Sequence, residues 1–338
     1  MPACAAGPYV PLRSTEAAIA RSRPASGFVY VAGGIGVSSY ATSTGKPEYM
    51  IRTRAKALAL DAAGDLAAAG IGSINVYAPK SSSLLRTIPA PYTGTCHSLA
   101  FDASGDLYAA YEADWYSSAQ FGGKVMVFGP GATTPARTIL SGVDHPNALA
   151  LDASENLYVS NPSANAVTVY PAGTTSPSRT ITAGILHPDA IAFDAAGNLY
   201  VANQGLWDGT AFTSSSIAVY APGGSTPIRI LTSEISAPSA MALDDKGNVY
   251  VANDPPFVSA KGWIAEYRAG SASVLRTIRA GIDKPSAIAL DSSGNLYVAN
   301  RHALGTGSLT VYSPASSQPA RTITTLVFEP IAISVGGP

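Results

Sequence analysis

The chain has little charge and almost no cysteine. Only 13% of its 338 residues are Asp, Glu, Lys or Arg, and the formal net charge is −1. Grip on nucleic-acid phosphates needs a basic stripe, and 21 Lys and Arg set against 22 Asp and Glu leave none. Two cysteines do not make a disulfide framework. No apolar run approaches the roughly 18 residues that would span a bilayer. Residues 1–26 lack the apolar core of an export signal and read as an extended or flexible arm. Familiar catalytic signatures are missing as well: there is no Gly-x-Ser-x-Gly elbow, no His-Glu-x-x-His and no phosphate-cradling loop ahead of a helix.

What the chain does have is a phrase repeated at nearly fixed spacing. It reads LALDAAGDLAAAG at 58–70, LAFDASGDLYAAY at 99–111 and LALDASENLYVSN at 149–161. It returns as IAFDAAGNLYVAN at 191–203, MALDDKGNVYVAN at 241–253 and IALDSSGNLYVAN at 288–300. Units of this kind bury their faces only against neighbours, so the repeat decides the fold. Each unit holds four strand-length segments, A to D. In the sixth they are Ala287–Leu290, Leu296–Asn300, Leu309–Tyr312 and Arg321–Thr324. An Asp–Gly turn joins A to B, and a Pro/Gly-rich turn joins C to D. Strands A and B are continuously apolar, as expected when both sheet faces are covered.

The ends of the repeat region imply closure. Gly27–Gly33 matches strand B with no strand A before it, and Pro330–Val335 matches strand A with nothing after it. Joined, they complete a seventh unit, so residues 27–338 predict an all-β, seven-bladed β-propeller of four-stranded antiparallel blades. The C-terminal strand pairs with N-terminal ones and removes the free edge. Strand D carries one Arg per unit (Arg52, Arg86, Arg137, Arg179, Arg229, Arg276, Arg321), read as charge on an outer edge. The turn aspartates Asp61, Asp102, Asp152, Asp194, Asp244 and Asp291 are structural.

The phrase P-x-A-I-A-x-D-x-x-G-N-L-Y-V-A-N resembles the NHL-type propeller repeat, with kinship to gluconolactonase-like and virginiamycin B lyase-like propellers. That resemblance implies a channel mouth ringed by D–A and B–C connections. Four B–C loops are long (Glu112–Gly122, Gln204–Ser215, Asp254–Lys261, Arg301–Thr306), and long loops on a rigid scaffold carry function. Trp115, Tyr116, Trp207 and Phe257 on them are candidate ligand-binding residues, joined by His302, Lys56 and Lys284. His97, His145 and His187 fall on the same rim, where imidazoles can move protons or take a metal.

The gluconolactonase-like pattern implies that Asn147 and Asp189 hold a divalent metal, Ca, Mg or Zn. Its third, Glu ligand has no counterpart here. The lyase-like pattern places His97 and Glu329 in catalytic slots, with Cys96 standing where a Pro precedes the histidine.

Three functions fit: a module binding a glycan, small molecule or protein at the mouth; a metal-assisted lyase or lactone/ester hydrolase; and a structural surface protein. Few lysines and abundant Ser, Thr, Gly and Pro suggest an extracytoplasmic location. Cys4 is either a surface anchor, a partner for Cys96, or a second unpaired thiol.

Overall fold

The computed structural model describes residues 27–90, 94–112, 122–255, 261–302 and 305–336. The arm 1–26 with Cys4, and the aromatics Trp115, Tyr116 and Phe257, lie outside these residues. The described chain is all β, in seven four-stranded antiparallel sheets plus one small hairpin. No helix among the described residues is long and apolar enough to cross a membrane.

Each blade runs outward from strand A to strand D. Blade 1 comprises Ala57–Leu60, Leu66–Ala69, Ser73–Tyr77 and Leu84–Pro89. Blade 2 comprises Cys96–Phe101, Leu107–Tyr111, Lys124–Phe128 and Arg137–Ile139. Blade 3 follows with Leu149–Leu151, Leu157–Asn161, Ala166–Tyr170 and Arg179–Ile181, and blade 4 with Pro188–Phe193, Leu199–Asn203, Ser216–Tyr220 and Arg229–Leu231. Blade 5 comprises Pro238–Leu243, Val249–Asn253, Trp263–Tyr267 and Val274–Ile278. Blade 6 comprises Pro285–Leu290, Leu296–Arg301, Gly307–Tyr312 and Arg321–Ile323.

Blade 7 is composite. Its strand A is Ala332–Gly336, pairing antiparallel with Phe28–Gly33, and Gly36–Ala41 and Pro47–Ile51 complete it. Val29 faces Val335 and Val31 faces Ile333 across that seam. Each strand A touches the strand A of the next blade, including the seventh and the first, so the ring closes.

Seven apolar clusters lie between the blades, one per interface. Blades 7 and 1, for example, share Tyr30, Ala32, Val37 and Ile51 with Leu58, Leu66 and Ala68. Burial of apolar surface on both faces of every sheet drives the stacking and explains the unbroken apolar strands.

Polar groups fasten this stack at repeat positions. Tyrosines ending strand C donate to carbonyls of the preceding blade: Tyr170 to Ser141 at 2.6 Å, Tyr220 to Ala183 at 2.6 Å, Tyr312 to Ala280 at 2.5 Å and Tyr40 to Thr325 at 2.7 Å. Phe128 holds this place in blade 2 without a hydroxyl. In the A–B turn, Asp291 Oδ1 accepts the N–H groups of Ser293 and Asn295, and Gly294 takes φ +78°. A side chain at that φ would be strained, which is why Gly stands there.

The strand-D arginines do more than charge an edge. Arg137 Nη2 donates to the Tyr108 hydroxyl at 2.7 Å, with its guanidinium 5.5 Å from the ring centroid. Arg179 does the same with Tyr158. Arg137, Val127, Tyr108 and Ala100 occupy one cross-strand row, so the guanidinium lies back over its own sheet. The physical reason is the two-residue alternation of strands, which puts row members on the same face. In blade 5 the row contains Glu266, buried, which accepts from Arg276 Nε and meets the Tyr250 hydroxyl at 3.2 Å.

Candidate functional site at the channel mouth

Strand A begins, and strand B ends, at one face of the disc, and the rim is assembled there. The asparagine ending strand B is buried and holds the incoming D–A loop. Asn161 Oδ1 accepts the Asp144 N–H, and Asn203, Asn253 and Asn300 repeat the contact with Leu186, Ser236 and Asp283. The residue before the strand-A proline then turns left-handed: His145 (φ 48°), His187 (52°), Ala237 (46°), Lys284 (53°) and Glu329 (43°). Such conformations cost non-glycine residues about 1 kcal/mol or more each and persist only where the surroundings impose them.

The residue after the proline, or after Cys96 in blade 2, is re-aimed by a bulge in four blades. His97, Asp189, Ser239 and Ser286 are each skipped by the A–B pairing register. A bulge rotates its extra side chain out of the alternation. Ser239 Oγ donates to Pro285 O and Ser286 Oγ to Pro330 O, both at 2.6 Å, so these two serines stitch neighbouring blades around the opening.

The candidate metal pair is adjacent. Asn147 Nδ2 lies 2.5 Å from Asp189 Oδ1, with both residues buried, at 4% and 1% exposure. Asn147 Oδ1 is buried without a hydrogen-bond partner. Among the described residues no group of three or more His, Cys, Asp or Glu is gathered in metal-holding geometry.

The rim histidines meet carboxylates. His97 Nε2 lies 2.7 Å from Glu112 Oε2, His145 Nδ1 2.7 Å from Asp144 Oδ1, and His302 Nδ1 2.8 Å from Asp283 Oδ2. His302 Nε2 also meets Ser308 Oγ at 3.0 Å, so both its nitrogens serve the scaffold. His187 uses its backbone N–H on Asn165 Oδ1.

Glu112 is a hub: the His97 hydrogen bond holds its carboxyl below the usual range, helped by the charges of His145 and Lys56. Lys56 reaches Thr95 Oγ1 at 3.5 Å, so blades 1, 2 and 3 converge on this spot. On the opposite arc, Lys284 and Arg301 converge on Asp254. Glu329 is exposed beside Gly34, where a Cβ would stand 3.0 Å from its Oε2.

Glu112, Asp254 and Arg301 were not among the residues singled out in the sequence. They share one position, the residue just past the repeated phrase. The backbone N–H there donates to the rim residue of the same blade: Glu112 to Thr95, Gln204 to His187, Asp254 to Ala237, Arg301 to Lys284. Aligning the residue after each phrase would have exposed the charge at that position.

Of the rim aromatics within the described residues, Trp207 projects on a hairpin of its own. Leu206–Trp207 pairs with Phe212–Thr213, and the Trp207 and Phe212 rings pack at a tilt of 55° with centroids 5.1 Å apart. Asp208 Oδ1 caps the turn by accepting from Thr210 and Ala211 N–H. Trp207 remains 45% exposed and Leu206 55%.

Comparison with known proteins establishes the class alone. No protein family's profile matches the chain, and no curated protein is similar to it in sequence. A chain of the solved "Crystal Structure of Mitotic Checkpoint Complex" superposes with a TM-score of 0.65 at 15% identity, covering 84% of this chain and 86% of that one. At that identity the likeness concerns fold: the chain is a seven-bladed β-propeller.

Proposed function

We propose that this propeller is an NHL-type binding module that takes a glycan, small molecule or protein at the rim where strand A begins. The observation that carries this reading is the Trp207 hairpin. An isolated two-stranded ribbon is marginal in water, yet this one is capped by Asp208, braced by Phe212, and leaves Trp207 and Leu206 facing solvent. Large apolar side chains displayed on a preformed support above a polar rim are what a binding surface requires.

The test is Trp207→Ala. It is expected to abolish hits on glycan arrays or in protein pull-downs while leaving Tm unchanged. Retention of every hit by a folded variant overturns the assignment.

A second reading, a metal-assisted lyase or lactone/ester hydrolase, draws support from the unpartnered Asn147 Oδ1 next to Asp189. These two oxygen donors suit a hard cation, which would supply Lewis-acid activation when bound. His97 and His145 would hold or move protons nearby, with Glu112 and Asp144 orienting them. Stoichiometric Ca or Mg in the purified protein, lost together in Asn147→Ala and Asp189→Ala, is the expected result. A protein that takes up neither ion, with unchanged melting, excludes it.

A further inference from the structure

A buried carboxylate of blade 5 sits between two cations of blade 6. Lys284 and Arg301 are side by side because the Arg301 N–H donates to the Lys284 carbonyl at 2.9 Å. Arg301 Nη2 reaches Asp254 Oδ2 at 3.2 Å. Lys284 Nζ lies 3.6 Å from Asp254 Oδ1 while donating to Pro255 O at 2.7 Å. The Asp254 side chain is 4% exposed, whereas those of Lys284 and Arg301 are about one-fifth exposed and keep a solvent side.

The carboxylate fits poorly where it is. Its Oδ1 is buried without a hydrogen bond, and a buried charge short of donors is costly. Its other neighbour, Asp283, repels it and is itself tied to His302. On the far side Glu329 of blade 7 acts on Arg301. An oxyanion arriving from solution would meet the same two donors while keeping water on its outer side.

We infer that Lys284 and Arg301 form a binding site for the oxyanion of a ligand, a carboxylate or a phosphate-type group, which Asp254 fills as an internal stand-in. Burial lifts the Asp254 carboxyl to about 6 against the pull of Lys284. The stand-in therefore neutralises in mild acid, which withdraws the negative charge it sets against the two cations. Arg provides the planar fork for such a group, and Lys a point charge.

Calorimetric titration with sulfate tests this, because the charge of sulfate is constant across the range used. Ionic strength is held fixed. Wild type is expected to bind at least tenfold more tightly at pH 5.5 than at pH 7.5. Asp254→Asn and Asp254→Ala bind tightly at both values, and Arg301→Gln lowers affinity at least tenfold and flattens the pH dependence. Acetate in parallel identifies the group: binding of both anions assigns a carboxylate ligand, binding of sulfate alone a phosphate-type one. Two results overturn the inference. In one, the Asp254 variants keep wild-type Tm and gain no affinity at pH 7.5. In the other, the pH dependence survives Arg301→Gln, which assigns it to the rim histidines.

Discussion

His97 Nε2 and Glu112 Oε2 lie 2.7 Å apart, joining the bulged entrance of strand A to the residue just beyond strand B in the same blade. The imidazole is 9% exposed and the carboxylate 33%, so the pair straddles the boundary between scaffold and solvent. Its geometry supports either proposed use of the rim, since it fixes the orientation of the imidazole.

The pair has a pH signature. The hydrogen bond from His97 holds the Glu112 carboxyl below its ordinary 4.5. A depressed carboxyl contributes stability above its unfolded value, and that contribution is lost as pH falls through the folded value. Glu112→Gln is expected to lower stability by about 1 kcal/mol at pH 7, allowing for partial exposure. The difference shrinks below pH 4.5 in urea titrations run across pH.

Asp254 gives the opposite sign. Its carboxyl is raised from 3.8 to about 6, so its contribution is fully present below 3.8 and lost as pH rises through about 6. Relative to Asp254→Asn, wild type should therefore gain stability between pH 7 and pH 4. A flat difference across that window contradicts the burial argument.

In blade 5, Arg276→Met leaves the buried Glu266 without its cation and with only the Tyr250 hydroxyl of its named contacts, at an expected cost of about 3 kcal/mol. Glu266→Val restores the aliphatic residue seen at this row position in blade 2, Val127, and should rescue most of that loss in the double variant. Failure of the rescue would show that the row needs its polar pair.

The interblade tyrosines offer an internal control. Tyr220→Phe and Tyr170→Phe each strand a carbonyl, of Ala183 and Ser141, and are expected to cost about 1–2 kcal/mol by denaturant unfolding. Blade 2 already carries Phe128 in this place. Losses within error of zero would mean that water satisfies those carbonyls.

Removing the strand Ala332–Gly336 strips blade 7 of its inner member and uncovers Tyr30 and Ala32 of the blade 1 interface. The expected outcome is a loss of several kcal/mol, with association through the bared edge of Phe28–Gly33 visible by size-exclusion chromatography. A monomer with unchanged Tm would show that closure is dispensable.

Seven blades, and the strand that closes them, were legible because periodicity survives in the sequence: each Asp turn and apolar pair of strands recurs with its neighbours. The strand-D arginines were legible as structural, yet their contact with Tyr108 or Tyr158 depends on cross-strand rows, which sequence spacing does not display. At the rim, the positions of His97, His145, His187 and His302 followed from the repeat. The acidic partners of His97 and His302 did not. Glu112 and Asp283 lie far from His97 and His302 along the chain and meet them only through the ladder that locks the end of strand B to the start of strand A.

Val29 faces Val335 across the seam of blade 7. During synthesis, six blades can stack while the seventh waits with three strands and one bared edge. Only when Ala332–Gly336 clears the ribosomal tunnel does the circle shut, so closure of the ring is a contact between the most distant strands of the propeller. Such long-range closure is slow, and the interval before it is when a chaperone would have its opportunity.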